Sequence, residues 1–453
     1  MQRLTFPTNG VTKAKSVPDY KAYGRHNFHQ IPQLDRLTAE DRFAIEVVSQ
    51  VLPFKANSYV IDELIDWARV PDDPIFRLTF PQVGMLKPEH FNTIASLIRQ
   101  GANQRHLQEA SDTIRLELNP HPAGQLELNR PLLNGAILDG MQHKYRETVL
   151  FFPSQGQTCH AYCTFCFRWP QFVGMNALKF AMRQATQLVA YLHQHPEVTD
   201  VLITGGDPLI MKSEMLATYL LPLLENDLPQ LQTIRIGSKA LGFWPYRFLT
   251  DSDAEALLAL LRRLVQAGKH VTLMAHFTHP RELHTTAVRQ AIARIRETGV
   301  QIRTQSPLLA QINDDPDVWA AMWQEQVAFG CVPYYMFVVR NTGAQHHFAV
   351  PLERAWNIFR EAYQQVSGIA RTVRGPSMST NPGKVEIQGI TEINGEKLFM
   401  LRFLQGRNPD WVLRPFFAKY DPEAIWLDDL KPAFGAEQFF FAAESGYGEH
   451  ATI

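Results

Sequence analysis

The sequence predicts an α/β fold built from six consecutive strand–helix units. From about residue 147, short runs rich in β-branched and aromatic residues alternate with longer runs in which apolar residues recur at helical spacing. Repeated units of this kind imply parallel strands joined by right-handed crossovers, in either an open doubly wound sheet or an incomplete barrel. In both architectures, the residues that carry chemistry lie at the carboxyl ends of the strands.

The N-terminal part of the chain, residues 1–145, is polar, interrupted by prolines and predicted to be a mainly helical extension. Apolar residues recur at roughly helical spacing over 42–52, 57–69 and 90–99. The pattern changes to strand–helix alternation after this part, so the first domain boundary is placed after residue 145.

The central part, residues 146–375, contains six runs typical of β-strands, which alternate with runs typical of amphipathic helices. The strands are predicted at 148–152, 198–204, 233–238, 270–277, 301–305 and 332–339. The helices are predicted at 177–193, 213–224, 253–267, 283–298, 318–329 and 352–365.

Residues 376–453 are predicted to be a small C-terminal segment that contains β-structure. The polar run over 375–384 is rich in Gly, Pro and Ser, and is typical of a loop. Two strand-like runs, 385–392 and 397–404, flank Asn394-Gly395, a dipeptide that favours a two-residue hairpin turn.

Composition excludes several classes of protein. The 453 residues are 45% hydrophobic and 20% charged, which excludes wholesale disorder and a coiled-coil rod. The balance of 44 Lys+Arg against 45 Asp+Glu argues against binding of nucleic acid or a membrane surface through bulk charge. No run reaches the ~18 apolar residues of a transmembrane helix, and the first residues lack the apolar core of a signal peptide. We therefore expect a cytoplasmic protein.

Three of the four cysteines form one C-x3-C-x2-C run, at Cys159, Cys163 and Cys166. The run directly follows the first predicted strand, where catalytic loops lie in such folds. Three thiolates can hold three irons of a [4Fe–4S] cluster and leave the fourth iron open. The alternatives are a zinc site completed by His160 or Cys331, or three buried thiols without a metal.

The cysteine run resembles the signature of the radical S-adenosylmethionine enzymes. The resemblance narrows to the lysine 2,3-aminomutase family through Gly205-Gly206-Asp207 at the end of the second predicted strand, and further matches cover roughly residues 130–400. It implies a partial (βα)6 TIM-type barrel that uses a [4Fe–4S] cluster, S-adenosylmethionine and pyridoxal 5′-phosphate. The implied enzyme is an isomerase, an amino acid 2,3-aminomutase that converts an α-amino acid to a β-amino acid.

The resemblance also implies how S-adenosylmethionine is held. In the family, the Gly-Gly-Asp turn lies against the methionine amino group, and the positions that match Ser238 and Gln305 help to hold the same cofactor. Paired glycines let the backbone approach a ligand closely, and an acid can pair with an ammonium group.

The lysine that matches the family's pyridoxal phosphate attachment point is Lys384. A lysine that forms a Schiff base must reach its neutral amine form, which burial near other cations favours. Lys144 and Tyr145 match an Arg-Tyr pair near the cofactor's phosphate, but Thr148 stands where the family has a phosphate-binding arginine. Another cation would then supply that charge, and the candidates are Lys144, Arg303 and Arg374.

Substrate choice is where the sequence departs most from the family. Arg168 matches the arginine that pairs with the substrate's α-carboxylate, whereas Arg340 and Ser377 stand where lysine-specific members have two aspartates. Because an arginine repels a distal ammonium, we expect a glutamate-like or neutral substrate rather than lysine. In the alternative interpretation Arg340 pairs with a neighbouring acid, and specificity is determined elsewhere.

Two other functions remain open from the sequence. One is a radical S-adenosylmethionine enzyme on the same framework that performs other chemistry or acts on lysine itself. The other is a non-enzymatic zinc-thiolate module. For the enzyme, we expect an electron donor such as flavodoxin or ferredoxin, a homo-oligomer, and no nucleic-acid or membrane partner.

Overall fold

The computed structural model describes residues 19–445, which form a mixed α/β fold. Within these residues, eleven strands form one sheet, in which β5 to β15 follow chain order from one edge to the other, and two pairs of short strands lie outside it. The strands are β1 (Ala22–Gly24), β2 (Lys55–Asn57), β3 (Leu132–Leu133), β4 (Ala136–Ile137), β5 (Met141–Tyr145), β6 (Thr148–Phe151), β7 (Asp200–Ile203), β8 (Thr233–Ser238), β9 (His270–His276), β10 (Gln301–Leu308), β11 (Val332–Val338), β12 (Arg374–Ser379), β13 (Gly383–Ile393), β14 (Glu396–Gly406) and β15 (Pro415–Lys419). The helices are α1 (Ala39–Val51), α2 (Pro74–Thr79), α3 (Pro88–Arg99), α4 (Gln104–Glu117), α5 (Ala185–Gln194), α6 (Ser213–Leu220), α7 (Pro222–Glu225), α8 (Ala240–Phe243), α9 (Ala254–Gln266), α10 (Thr286–Glu297), α11 (Pro316–Ala328), α12 (Gln345–Phe348), α13 (Leu352–Gln364) and α14 (Phe440–Ser445).

Strands β6 to β12 are parallel, and each pairs with the next along the chain. All six strands predicted for the central part are present, with helices in the connections between them. The register places Phe151 beside Ile203 and Ile203 beside Ile236, so the ends of neighbouring strands lie level. The loops that follow these strands therefore meet at one end of the sheet.

The seventh parallel strand, β12, lies where the sequence predicts a loop, and that part of the loop prediction is wrong. Gly375 has a φ of +147°, and a Cβ at this position would lie 2.3 Å from the carbonyl oxygen of Met336. The glycine that suggests a loop is therefore what lets β12 approach β11 closely.

The predicted hairpin is confirmed as β13 and β14. Asn394 and Gly395 both have positive φ, 53° and 79°, as a type I′ turn requires. The ladder that starts at this turn pairs Lys384 with Gln405 at its far end. Cross-strand partners share a face of the sheet, so the turn determines which side chains lie beside Lys384.

The edge strand β5 and the segment before it lie close to the loops that follow β12 and β14. Lys144 on β5 donates a hydrogen bond from Nζ to the carbonyl oxygen of Thr380, which follows β12. Arg407, which follows β14, donates from Nη2 to Oδ1 of Asn129 at 2.6 Å. The polypeptide thus encloses a space between β5 and the loops after β12 and β14.

The N-terminal segment is helical over α1, α3 and α4, but the helix predicted over 57–69 forms only in part. This stretch begins in β2 and continues as one turn of π-helix over Val60–Leu64. Asn57 is fully buried, accepts a hydrogen bond from Val60 N at 2.9 Å and donates to the carbonyl oxygen of Phe243 at 2.9 Å. The bond from Val60 N begins this short helical turn, while the bond to Phe243 fixes Asn57 in β2, so the apolar spacing yields one turn rather than a long helix.

The helix predicted at 177–193 begins only at Ala185. The preceding residues run along the sheet, because Met182 N donates to Phe152 O at 2.8 Å and Ser154 N donates to Met182 O at 2.9 Å. Phe180 and Met182 are buried, so their apolar spacing reflects packing against β6 rather than a helix.

The N-terminal segment lies over the carboxyl ends of the parallel strands. Tyr59 OH lies 2.7 Å from Thr285 Oγ1 in the region after β9, and Thr342 Oγ1 donates to Asn119 O at 2.5 Å in the loop after β11. One hydrophobic core joins this segment to the sheet and its helices. The division into 1–145, 146–375 and 376–453 stays a prediction, and β12 runs across its second boundary. Among the residues described here, no helix combines the length and apolarity needed to cross a bilayer.

Candidate active site

A cavity of about 320 Å³ lies at the carboxyl ends of the parallel strands. Twelve of the residues that the sequence assigns to a site line it: Cys159, Cys163, Cys166, Gly205, Gly206, Asp207, Ser238, Gln305, Tyr145, Lys384, Arg168 and Arg340. These residues come from β5, β8, β10, β13 and the loops after β6, β7 and β11. The fold thus brings distant parts of the sequence to one space, while the roles assigned to them stay predictions.

The cysteine run lies in the loop after β6, and the N-terminal segment holds this loop. Tyr162 N donates to Lys55 O at 2.7 Å, and Thr164 N donates to Leu78 O at 2.9 Å. Cys166 N donates to Cys163 O at 3.1 Å within the run. Burial raises the pKa of all three thiols, in the case of Cys166 to about 11.

The donor set fits a cluster better than a single ion. Among residues 19–445, no three His, Cys, Asp or Glu side chains converge closely enough to enclose one metal ion. In a [4Fe–4S] cube each thiolate binds a different iron, so the three sulfur atoms need not converge on a point. His160 and Cys331, the candidates to complete a zinc site, do not line the cavity that the three thiols share.

The Gly-Gly-Asp turn packs against the cysteine loop. A Cβ on Gly206 would lie 2.4 Å from the carbonyl oxygen of Thr158, so only glycine fits there. Asp207 N donates to the same oxygen at 2.7 Å. The backbone of this turn is therefore fixed directly beside the first cysteine of the run.

The Asp207 carboxylate is buried and accepts three hydrogen bonds. They come from Leu209 N, Ser238 Oγ and Lys239 N, each at 2.9 Å. Burial raises the pKa of Asp207, while these bonds act in the opposite direction. A carboxylate offers about four acceptor positions, so one remains for a ligand's donor.

Gln305 pairs with His276, a residue to which the sequence pattern assigns no role. Their Nε2 atoms lie 2.8 Å apart, and burial lowers the pKa of His276 to about 3. The imidazole is therefore neutral near pH 7 and accepts from the Gln305 amide. This bond orients the glutamine and leaves its carbonyl oxygen for another partner.

Lys384 enters the cavity from the start of β13. Its Nζ donates to Gln405 Oε1 at 3.0 Å and lies 4.1 Å from the centroid of the Tyr335 ring. Burial, together with Arg374 and Arg235, holds the pKa of Lys384 well below its ordinary value. These surroundings fit a lysine that must react as a neutral amine, which is the property required for attachment of pyridoxal phosphate.

Arg168 is an unpaired, buried cation. Its side chain is packed against Phe152, with the guanidinium carbon 4.2 Å from the ring centroid, and against Phe167 at 5.2 Å. Nε and Nη1 have no hydrogen-bond partner. Burial and the nearby Arg340 lower the pKa of Arg168 to about 9. A buried guanidinium with free donors is suited to a ligand carboxylate.

Arg340 contacts the aromatic ring of Phe167, as Arg168 does, and its guanidinium carbon lies 4.9 Å from the ring centroid. Its Nη2 donates to Ser379 O at 3.2 Å, and its Nε has no partner. Within residues 19–445 no carboxylate oxygen lies within 4.0 Å of its nitrogens, which argues against the acid-paired alternative. Ser377, the other substrate position, is fully buried and does not line the cavity.

The cavity has an excess of positive charge. Asp207 is the acidic residue that lines it. Two of the lining cations form ion pairs with acids that do not line the cavity: Arg235 with Asp200, and Lys239 with Glu282 at 2.6 Å. Four lining cations have no such partner among the described residues: Lys144, Arg168, Arg340 and Lys384. This balance favours an anionic ligand.

Thr148, which stands where the family has a phosphate-binding arginine, is hydrogen-bonded to an acid of an internal ion pair. Thr148 Oγ1 donates to Asp200 Oδ2 at 3.0 Å, and Asp200 accepts from Arg235. Of the three cations suggested as replacements, Lys144 lines the cavity, whereas Arg303 and Arg374 stack on Tyr334 outside the lining.

Gln405, His276 and Lys239 are among the polar lining residues to which the sequence interpretation assigned no role. Gln405 could have been found, because counting outward from the Asn394-Gly395 turn pairs it with Lys384. His276 and Lys239 carry no such signal, since their partners come from other strands and loops.

Comparison with known proteins places the chain in a family. It is 32% identical over 396 residues to a putative L-lysine 2,3-aminomutase of Aquifex aeolicus, which covers 87% of this chain and 92% of that protein. It is 30% identical over 255 residues to the L-lysine 2,3-aminomutase of Escherichia coli, covering 54% of this chain and 69% of that protein. The Bacillus subtilis enzyme of the same name is 28% identical over 249 residues, but the match spans only 50% of it.

Similarity to solved structures is weak. A radical SAM methyltransferase from Sphaerobacter thermophilus superposes with a TM-score of 0.37 and 14% identity, covering 63% of this chain and 92% of that one. No profile of a known protein family matches the sequence. The extended match to the Aquifex aeolicus protein is decisive, and by it the chain belongs to the lysine 2,3-aminomutase family of radical S-adenosylmethionine enzymes.

Proposed function

We propose that this protein is a pyridoxal phosphate-dependent amino acid 2,3-aminomutase whose substrate has a carboxylate or an uncharged group, not an ammonium, at its far end. Family membership implies a [4Fe–4S] cluster and S-adenosylmethionine. The observation that carries the substrate proposal is the pair of buried cavity arginines, Arg168 and Arg340, without acidic partners among the described residues.

The cavity lining supports the proposed binding of these cofactors. Cys159, Cys163 and Cys166 would hold the cluster, and the Gly-Gly-Asp turn with Gln305 would hold S-adenosylmethionine. When bound, these groups supply a radical that abstracts hydrogen, and pyridoxal phosphate stabilises the rearranging substrate. The sheet would then be the partial (βα)6 barrel of such enzymes, and a small electron-transfer protein such as flavodoxin or ferredoxin would reduce the cluster.

Lys384 is the proposed attachment point of pyridoxal phosphate. Its amine is already oriented by Gln405, and the surrounding cations keep it in reach of the neutral form. In the overall reaction the bond from nitrogen to C2 breaks and a bond from nitrogen to C3 forms. One hydrogen moves from C3 to C2, so substrate and product are isomers.

Arg168 and Arg340 are the proposed binding groups for the substrate's two ends. The guanidinium carbons of both arginines contact the same aromatic ring: they lie 5.2 and 4.9 Å from the centroid of Phe167. The two cations are therefore close enough to bind a short dicarboxylic amino acid such as glutamate. An ammonium at the far end would have to approach an unneutralised guanidinium in a site of low polarity.

The test is anaerobic reconstitution with iron, sulfide, S-adenosylmethionine and pyridoxal phosphate, followed by competition between glutamate, lysine and neutral amino acids. We expect β-amino acid from glutamate or a neutral amino acid in preference to lysine. Clean preference for lysine would refute the substrate proposal while leaving the aminomutase assignment intact.

A second candidate function is supported by Thr148. Because this residue bonds to Asp200 instead of offering a cation, the chain could have kept the framework without pyridoxal phosphate. The purified protein decides between the two: lysine-bound pyridoxal phosphate absorbs visible light, and borohydride fixes it to Lys384. Reconstituted protein that binds S-adenosylmethionine but never takes up pyridoxal phosphate would favour the second candidate.

A further inference from the structure

The N-terminal segment is hydrogen-bonded to the backbone of the cysteine loop at and next to its first cysteine. Lys55 Nζ donates to the carbonyl oxygen of Cys159 at 2.7 Å. The next carbonyl, that of His160, accepts from Tyr20 OH at 2.8 Å and from Asn57 Nδ2 at 3.1 Å. The backbone of Lys55 also accepts from Tyr162 N. Residues of β2 and Tyr20, which precedes β1, thus hold the backbone at the first cysteine although they are far away in sequence.

Lys55 brings a positive charge without a neutralising acid. Within residues 19–445 no carboxylate oxygen lies within 4.0 Å of its ammonium. The ammonium instead lies near two aromatic faces, 6.0 Å from the Tyr20 centroid and 5.8 Å from the Tyr162 centroid. The side chain is partly buried, so solvent screens its charge only weakly.

An ammonium that is hydrogen-bonded to a ligand's own carbonyl acts on the bound cluster as well as on the loop. A [4Fe–4S] cluster held by thiolates gains one more negative charge on reduction. A nearby fixed cation stabilises the reduced form more than the oxidised form, and therefore raises the reduction potential.

We propose that Lys55 is a positioning residue for the iron–sulfur site, which fixes the Cys159 end of the loop and raises the reduction potential of the cluster through its charge. The proposal rests on the cluster that family membership implies, and it assigns part of the cluster's environment to the N-terminal segment. Lys55 itself touches neither substrate nor cofactor in this role.

The test separates the charge from the hydrogen bond. Lys55→Gln keeps a donor for the Cys159 carbonyl but removes the charge, whereas Lys55→Arg keeps both. Lys21→Gln, at an exposed position next to β1, is the matched control. Each full-length protein is reconstituted anaerobically, its iron and sulfide are counted, and its cluster is titrated electrochemically with the reduced form followed by electron paramagnetic resonance.

We expect Lys55→Gln to keep its iron and sulfide but to have a more negative potential, so that at the wild-type midpoint the ratio of reduced to oxidised cluster falls about three- to tenfold. Lys55→Arg and Lys21→Gln should match the wild type. A cluster lost from Lys55→Gln but kept in Lys55→Arg also supports the proposal, because charge is then needed for assembly.

The proposal is overturned if Lys55→Gln carries a full cluster at an unchanged or more positive potential. It is also overturned if Lys55→Arg loses the cluster together with Lys55→Gln, since packing alone would then explain the residue. Wild-type protein that takes up no iron and sulfide would instead refute the cluster itself, an outcome distinct from both.

Discussion

Arg340→Gln is the substitution that tests the anionic-substrate proposal most directly. Burial lowers the pKa of Arg340 from 12.5 to about 10, which corresponds to roughly 3 kcal/mol of unfavourable free energy for the charged form. A substrate carboxylate that pairs with the guanidinium recovers much of this free energy. We therefore expect the variant to lower kcat/KM for glutamate by about 30- to 150-fold, or roughly 2–3 kcal/mol.

Steady-state kinetics with glutamate, lysine and a neutral amino acid measure this effect. Because the change removes a buried charge that lacks an acidic partner, the melting temperature should stay equal to that of the wild type or rise. Arg360→Gln, at an exposed position on α13, is the control and should leave kinetics and melting unchanged. An unchanged kcat/KM for glutamate, or an equal loss with every amino acid, would refute the reasoning.

Three further predictions concern other parts of the cavity. Lys384→Ala should still cleave S-adenosylmethionine reductively but form no β-amino acid, as measured by chromatography of both products. Gly206→Ala puts a Cβ 2.4 Å from a backbone oxygen and should lower the free energy of unfolding in urea by roughly 2–3 kcal/mol. The ordinary pKa of a histidine is 6.5, and burial lowers the pKa of His276 to about 3. At a pH between these two values, the unfolded state therefore binds a proton that the native state does not. Stability from this group is therefore lost as pH falls below 6.5, and His276→Asn should reduce the pH dependence of the unfolding free energy between pH 7 and 5 by up to about 1.4 kcal/mol per pH unit.

Each of these predictions has a contrary result. β-Amino acid formed by Lys384→Ala would show that another residue holds the cofactor. Gly368→Ala, where nothing lies within 4 Å of the added carbon, should be neutral, so equal losses in the two glycine variants would remove the packing explanation. An unchanged pH slope for His276→Asn would mean that its pKa is not depressed in the native protein.

The strands and the cavity lining were largely predictable because both depend on local patterns. Strands β6 to β11 coincide with runs of β-branched and aromatic residues; Gly205 lies two residues after one such strand, and Cys159 lies after the short turn that follows another. Since parallel strands present their carboxyl ends together, residues placed after them had to share one space.

The errors arose where tertiary bonds override local pattern. Asn57 makes hydrogen bonds to two distant loops, which hold the segment after it out of a regular helix. Gly375 looks like a loop residue, but it is required by the close pairing of β12 with β11. Similarly, the His276 partner lies on another strand, and no spacing within one element reveals it.

The β13–β14 hairpin makes the proposed attachment site tolerant of substitution but sensitive to changes in chain length. Side chains alternate between faces along the regular part of a strand, so removal of one residue between the irregularity at Ile387/Gly389 and the turn would move Lys384 to the opposite face of the sheet if the two existing register shifts stayed as they are. Its amine and the Gln405 amide would then part, although no residue of the cavity had been replaced. A one-residue insertion or deletion in this hairpin, remote from the cavity, is thus expected to disturb Lys384 as much as a mutation at the site.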